Sequence, residues 1–227
     1  MHVPLNAITW TLGAIALYTF GLKSWRSYRR TANPLAQMYY LLGLTFGSAL
    51  FFFGVPGLVT QDLHVLRYTY FLADFFVQTS LQIAAWLLWF LGLRNRLRLK
   101  SLLFFTVPFS TILLISEALT SHVGISQSPY LINYVDKPLT LVLKSIIYLA
   151  IAMPIGYFLV RQAPKQPTLP AKAKSFMGGV IFIGVGLAAT SNNIFDKGSD
   201  TRSSAITVMV FFAIFLLAQL PRGRQAR

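Results

Sequence analysis

Apolar residues in this chain come in long unbroken blocks separated by short polar links. The blocks run over 5–22, 36–60, 69–93, 101–120, 138–160, 175–195 and 203–220, each about 18–25 residues long. A helix rises 1.5 Å per residue, so about 20 residues cross roughly 30 Å of hydrocarbon. A membrane strand would need only about 9–11 residues of alternating character, and no such alternation is present. Runs such as Leu50-Phe51-Phe52-Phe53 and Val210-Phe211-Phe212-Ala213 are apolar on every side, as expected of helices that face lipid. The pattern predicts an all-α polytopic membrane protein, a single seven-helix transmembrane bundle over 1–227.

Charge sets the expected orientation. The links after the first, third and fifth blocks carry Lys23, Arg26, Arg29 and Arg30, then Arg94, Arg96, Arg98 and Lys100, then Arg161, Lys165, Lys172 and Lys174. The tail adds Arg222, Arg224 and Arg227, and no acid lies among any of these. The six acids, Asp62, Asp74, Glu117, Asp136, Asp196 and Asp200, fall in the alternate links or the helix halves beside them. Short Lys/Arg-rich loops stay cytoplasmic. The expectation is therefore an N-terminus outside, a C-terminus in the cytoplasm and residence in the cytoplasmic (inner) membrane, with anionic lipid at the basic loops. Basic residues follow the first apolar block instead of preceding it, so this block reads as a retained helix and not as a signal peptide.

Composition narrows the function classes. The chain is 55% hydrophobic and only 11% charged, against about 25% charged in soluble domains. Its net charge of +14 is spread over loops and forms no single basic face, which argues against nucleic acid as a partner. Cysteine is absent, which excludes disulfides, thiolate catalysis and cysteine-held metal or iron–sulfur centres. No metal triad, nucleophile–base pair or phosphate loop is visible. An enzyme is the least favoured class, and no cofactor or metal site is expected.

The candidate chemistry lies in polar residues inside the blocks. Asp74, Gln78 and Gln82 are spaced four apart, so they share one helix face. They read either as the wall of a ligand pocket or as hydrogen-bonding glue between helices, worth about 0.6–2 kcal/mol per contact. Lys144 lies six residues past Pro138, roughly 9 Å along the helix. Asp74 sits at a similar depth, and the two are expected to pair unless Lys144 snorkels outward; Glu117 is an alternative partner. Asn192 and Asn193 end the sixth block on the same side. Tyr68, Tyr70, Trp86 and Tyr148 supply aromatic walls or an interfacial belt.

Other features are weaker. Asp62-x-His64 and Glu117-x4-His122 match no established metal spacing. Gly43-x3-Gly47 suits close helix packing or a homo-oligomer. Prolines at 164, 167 and 170 favour a polyproline II linker. Glycine-rich second and sixth blocks hint at a repeat of the kind transporters use. Pro56, Pro108 and Pro154 fall within helices. Microbial rhodopsins hold retinal on a lysine of helix 7, but 203–220 contains none. Asn-Pro-x-x-Tyr is absent, and helix 3 ends Leu93-Arg94-Asn95-Arg96, so neither rhodopsins nor heptahelical receptors fit. The membrane regions of bacterial sensor kinases share the length and short loops, without a shared motif.

Taken together these features favour a sensor or receptor-like signalling module. It would have a polar pocket in its outer half and pass its signal to a separate cytoplasmic partner. A small transporter or channel, or an accessory subunit of a membrane complex, is the alternative.

Overall fold

The computed structural model describes residues 3–127 and 130–195, with side chains of all these except 126, 127, 130 and 188–195. Six helices and one strand pair occupy this stretch: α1 (Leu5–Thr31), α2 (Pro34–Val59), α3 (Leu63–Leu88), α4 (Leu99–Thr120), β1 (His122–Gln127), β2 (Tyr130–Val135), α5 (Pro138–Gln162) and α6 (Leu169–Phe195). The stretches Leu5–Thr31, Pro34–Val59, Leu63–Leu93, Leu99–Thr120 and Pro138–Lys165 are long and apolar enough to cross a bilayer. The expected seventh helix, 203–220, lies outside the described residues.

Local chemistry fixes the helix ends. Ala32 turns into the left-handed region at φ 49° and stops α1. Asn33 then caps α2, its Oδ1 accepting from the Leu35 amide at 2.9 Å, and Pro34 fills the first turn, where its missing N–H costs nothing. Asp62 caps α3 by accepting from the His64 amide at 2.8 Å. That bond accounts for the Asp62-x-His64 spacing. Several helices outrun their apolar blocks: α1 continues through Arg29 and Arg30 to Thr31. Hydropathy ends where hydrocarbon ends, whereas Lys and Arg propagate a helix well through the headgroup layer. The last turn of α3 widens into a π-helical segment, Trp89–Leu93, closed by a 2.6 Å bond from Trp89 Nε1 to the Leu97 carbonyl.

Two departures from expectation concern links. The link between α4 and α5 is an antiparallel hairpin pairing His122 with Val135 and Gln127 with Tyr130. The proline-rich link does not run as polyproline II: Ala163–Lys165 is a 3₁₀ turn and α6 already begins at Leu169. Pro170 sits in the first turn of α6, where proline is tolerated.

Glycine lets neighbouring backbones touch in two helix pairs. A Cβ on Gly43 would stand 2.9 Å from both Gly21 Cα and the Leu17 carbonyl, and one on Gly54 would stand 2.5–2.8 Å from Thr11 and Ala7. Gly43-x3-Gly47 thus serves α1–α2 packing within the chain. In α5–α6, Cβ atoms on Gly156 and Gly179 would each lie 2.7 Å from the other's carbonyl. A further core of Leu81, Ala85, Leu88, Leu113, Ile147, Ile151 and Ile155 joins α3, α4 and α5. By contrast α4 exposes Phe104, Phe105, Ile112, Ile115 and Leu119, an apolar face that lipid would cover.

The connectivity gives the molecule two chemically different ends. One gathers the starts of α1, α3 and α5, the finish of α4, and the hairpin. Asn6 of α1 holds the hairpin there, donating to the Ile132 carbonyl at 2.7 Å and accepting from its amide at 3.2 Å. The other end gathers the links at 32–33, 94–98 and 163–168, with the basic residues named above that lie between 23 and 174.

Candidate functional site

Three helices and one strand end converge at the hairpin end. Asp74 lies on the buried face of α3, Glu117 one turn before the finish of α4, and Lys144 on the buried face of α5. Asp136 follows β2 directly and is carried in by the hairpin. All four are at least nine-tenths buried.

Lys144 is the hub. Its Nζ lies 2.5 Å from Glu117 Oε1, 2.7 Å from Asp136 Oδ2 and 3.5 Å from Asp74 Oδ2. The ammonium donates a hydrogen bond to Asp136 Oδ2 and stands in ion-pair contact with the carboxylates of Glu117 and Asp74, so it meets carboxylates from three different elements. The Tyr70 hydroxyl donates to the same Asp136 Oδ2 at 2.9 Å, and the Tyr70 ring faces Lys144 Nζ at 5.9 Å from its centroid. Ser116, next to Glu117, and Thr140, one turn before Lys144, share a 2.7 Å hydroxyl–hydroxyl bond that ties α4 to α5.

Aromatic rings wall one side. Tyr70 and Tyr134 stack with centroids 4.6 Å apart and 8° between planes, and Phe53 and Trp10 lean on Tyr134 at 5.7 Å. Burial holds the Tyr134 phenol well above its ordinary pKa. It is therefore neutral, and its hydroxyl finds no hydrogen bond among the described residues.

The expected Asp74–Lys144 pair is present, and so is the alternative Glu117–Lys144 contact. Asp136 and the Tyr70 hydroxyl are additions that block-by-block reading leaves out. Gln78 lies on the same α3 face as Asp74 and is 2% exposed, yet both its amide atoms lack partners among the described residues. Gln82 is fully engaged: its Nε2 donates to the Thr106 carbonyl at 3.2 Å and Ser110 Oγ at 2.6 Å, and its Oε1 accepts from Thr106 at 2.6 Å. It bolts α3 to α4. Asn192 and Asn193 are in the last turns of α6. In the α5–α6 register Gly179 meets Val160 and Gly186 meets Ala152; continued at that spacing, residues 192 and 193 come level with Lys144. Their side chains lie outside the described set. Tyr68 is 75% exposed and takes no part, whereas Tyr70 is central.

The charges do not balance. Three ionised carboxylates and one ammonium would leave a net charge of −2 in a buried site. Two like charges about 4 Å apart repel by about 4 kcal/mol at an effective dielectric of about 20. Among the described residues no group of His, Asp and Glu is disposed to hold a metal ion. No protein family matches the chain, and no characterised protein matches it in sequence.

Proposed function

We propose that the chain is a seven-helix sensor module of the cytoplasmic (inner) membrane, with its N-terminus outside and its C-terminus in the cytoplasm. Its input site is the Lys144 cluster. Its basic loops pass the change to a separate cytoplasmic partner and rest on anionic lipid. The observation that carries this reading is the convergence of four ionisable residues, from α3, α4, the hairpin and α5, at the acid end alone. Among the described residues no comparable cluster stands at the basic end.

One-sided placement suits sensing better than passage. A transporter site belongs near the midplane, where both sides reach it in turn. Here Gln82, two turns deeper than Asp74 and about 12 Å along the helix, is engaged by Thr106 and Ser110 of α4, which favours a site that opens on one side. The element arrangement also supports N-out topology, because every Lys/Arg-rich link from 23 to 174 falls at one end.

The natural absence of cysteine makes the test direct. Gly124→Cys, in the hairpin, should label from outside intact cells, and Arg96→Cys only after permeabilisation. A spin label at the Arg96→Cys position should then change mobility when Lys144→Met is added. Silence at the basic end, together with saturable flux in proteoliposomes that Asp74→Asn abolishes, would replace the sensor with a transporter.

A further inference from the structure

We propose that the ligand of this cluster is a proton, shared between the Asp74 and Glu117 carboxyl groups while Asp136 and Lys144 remain an ion pair, and that loss of the proton frees the β1–β2 hairpin. The inference takes from the sensor reading only that the cluster is the input site.

Three observations carry it. The Asp74 and Glu117 carboxyl groups both contact the one Lys144 ammonium, at 3.5 and 2.5 Å, and are therefore held close to each other. Two carboxylates are acceptors only, so a bond between them requires a proton on one. Buried oxygens at the site also lack donors among the described residues: Glu117 Oε2 and Asp136 Oδ1 have none there, and the Gln78 amide, one turn from Asp74, is unpartnered among them. Finally, the ammonium of Lys144 already occupies the position between the three carboxylates that a metal cation would need. A proton is the one cation that adds positive charge there without adding volume.

The surroundings define which carboxyls exchange. Asp136 is the best-partnered of the three carboxyl groups, because Lys144 and the Tyr70 hydroxyl both donate to its Oδ2. Asp74 has Lys144 only at 3.5 Å, and its Oδ2 accepts no hydrogen bond among the described residues. The facing groups are Tyr70 and Gln78 from α3, Ser116 from α4, Tyr134 from the hairpin, and Thr140 and Tyr148 from α5. His122 and Lys137 are exposed and outside the cluster. The proton enters from water at the hairpin end and returns there, with no other bond changed. Its departure raises the buried excess from −1 to −2. The group able to leave is Asp136, because it sits on a two-stranded hairpin that reaches the helices through side-chain contacts of Asn6, Ile132 and Tyr134, whereas Asp74 and Glu117 belong to long helices.

Glu117 is the only glutamate in the chain. Glutamate labelled with ¹³C at the side-chain carboxyl therefore reports on one residue of the full-length, otherwise unaltered protein in lipid bilayers. Solid-state NMR should find this carboxyl protonated or proton-sharing at neutral pH, and ionised at the upper end of a titration between about pH 5 and 9. Asp74→Asn should shift the signal at neutral pH. Across the same transition, amide exchange at Leu131 and Ile132 should accelerate about tenfold or more while α1–α2 stays protected. A Glu117 carboxylate fully ionised at neutral pH, or unmoved by Asp74→Asn, overturns the shared proton and leaves the sensor reading standing. Titration without any change in hairpin exchange overturns the release step. A shared proton with normal hairpin release but no response at the basic end supports this proposal and counts against the sensor reading instead.

Discussion

Replacing Lys144 by methionine, which keeps the unbranched stem and removes the charge, isolates what the hub contributes. At an effective dielectric of about 20, each ammonium–carboxylate contact of 2.5–3.5 Å is worth about 5–7 kcal/mol before desolvation is counted. Burying the ammonium costs several kcal/mol, and the carboxylates repel one another by about 4 kcal/mol per close pair. The net effect of deleting one partner from a buried ionic group is typically about 3–5 kcal/mol, because uncompensated charge is left behind. Lys144→Met should therefore lower unfolding free energy by about that amount, a large share of the total stability of an ordinary domain. The deficit should shrink as pH falls, since protonation neutralises the stranded carboxylates. Adding Asp74→Asn, Glu117→Gln and Asp136→Asn to Lys144→Met should recover most of the loss, because no buried charge then lacks a partner. Reversible unfolding in bicelles, followed by tryptophan fluorescence at several pH values, measures all of these. A Lys144→Met protein as stable as its parent, or one that the three amide substitutions fail to rescue, would refute the charge argument.

Three further outcomes follow from packing. Asn6→Ala removes both bonds to Ile132 and leaves two buried backbone groups unpaired, at about 1–3 kcal/mol each; hydrogen exchange should locate the loss in 122–135. Gly54→Ala drives a Cβ to 2.5 Å from Thr11 Oγ1 and 2.7 Å from the Thr11 amide nitrogen, and should cost about 1–3 kcal/mol in thermal unfolding, whereas Gly184→Ala meets nothing within 4 Å and should gain up to about 1 kcal/mol. Gln82→Leu should cost about 0.6–2 kcal/mol of stability, as interhelical glue does, and leave the Glu117 titration unmoved.

The all-helical class and the positions of the described helices were legible because lipid imposes a crude rule: an apolar block long enough to cross must be helical, since its backbone has no other partner there. The same rule made Asp74 and Lys144 conspicuous, as charges stand out against hydrocarbon and need counter-charges. It carries no information about the links. The segment from His122 to Val135 has Val123, Ile125, Ile132 and Tyr134 at alternate positions, a period-two signal that marks a strand pair. Against seven blocks of about twenty apolar residues, that signal of six residues a side is faint. Proline spacing misled for a related reason: it describes a free linker, while the first turn of α6 accepts Pro170 and ends the extended segment early.

The hairpin was the costly omission, because it decides what kind of site this is. With Asp74, Glu117 and Lys144 alone the cluster would carry −1 and open toward the acid-end surface, as a pocket for a small molecule would. Asp136 and Tyr134 arrive with β2, close that side and raise the negative excess to −2 if every acid is ionised. The closure excludes a bulky ligand in this conformation, and the added charge creates a demand for a small positive one. Because Asp136 is both part of the charge imbalance and fixed to a movable strand pair, the protonation state of Asp74–Glu117 and the seating of the hairpin become two sides of one equilibrium. Whatever favours one must favour the other by the same free energy. Locking the hairpin to α1 should therefore tighten proton binding by as much as proton binding tightens the hairpin. A disulfide between cysteines substituted at Asn6 and Ile132, where the Asn6 side chain already meets the Ile132 backbone, is the means to test it. A Glu117 titration that ignores such a lock would separate the hairpin from the proton site.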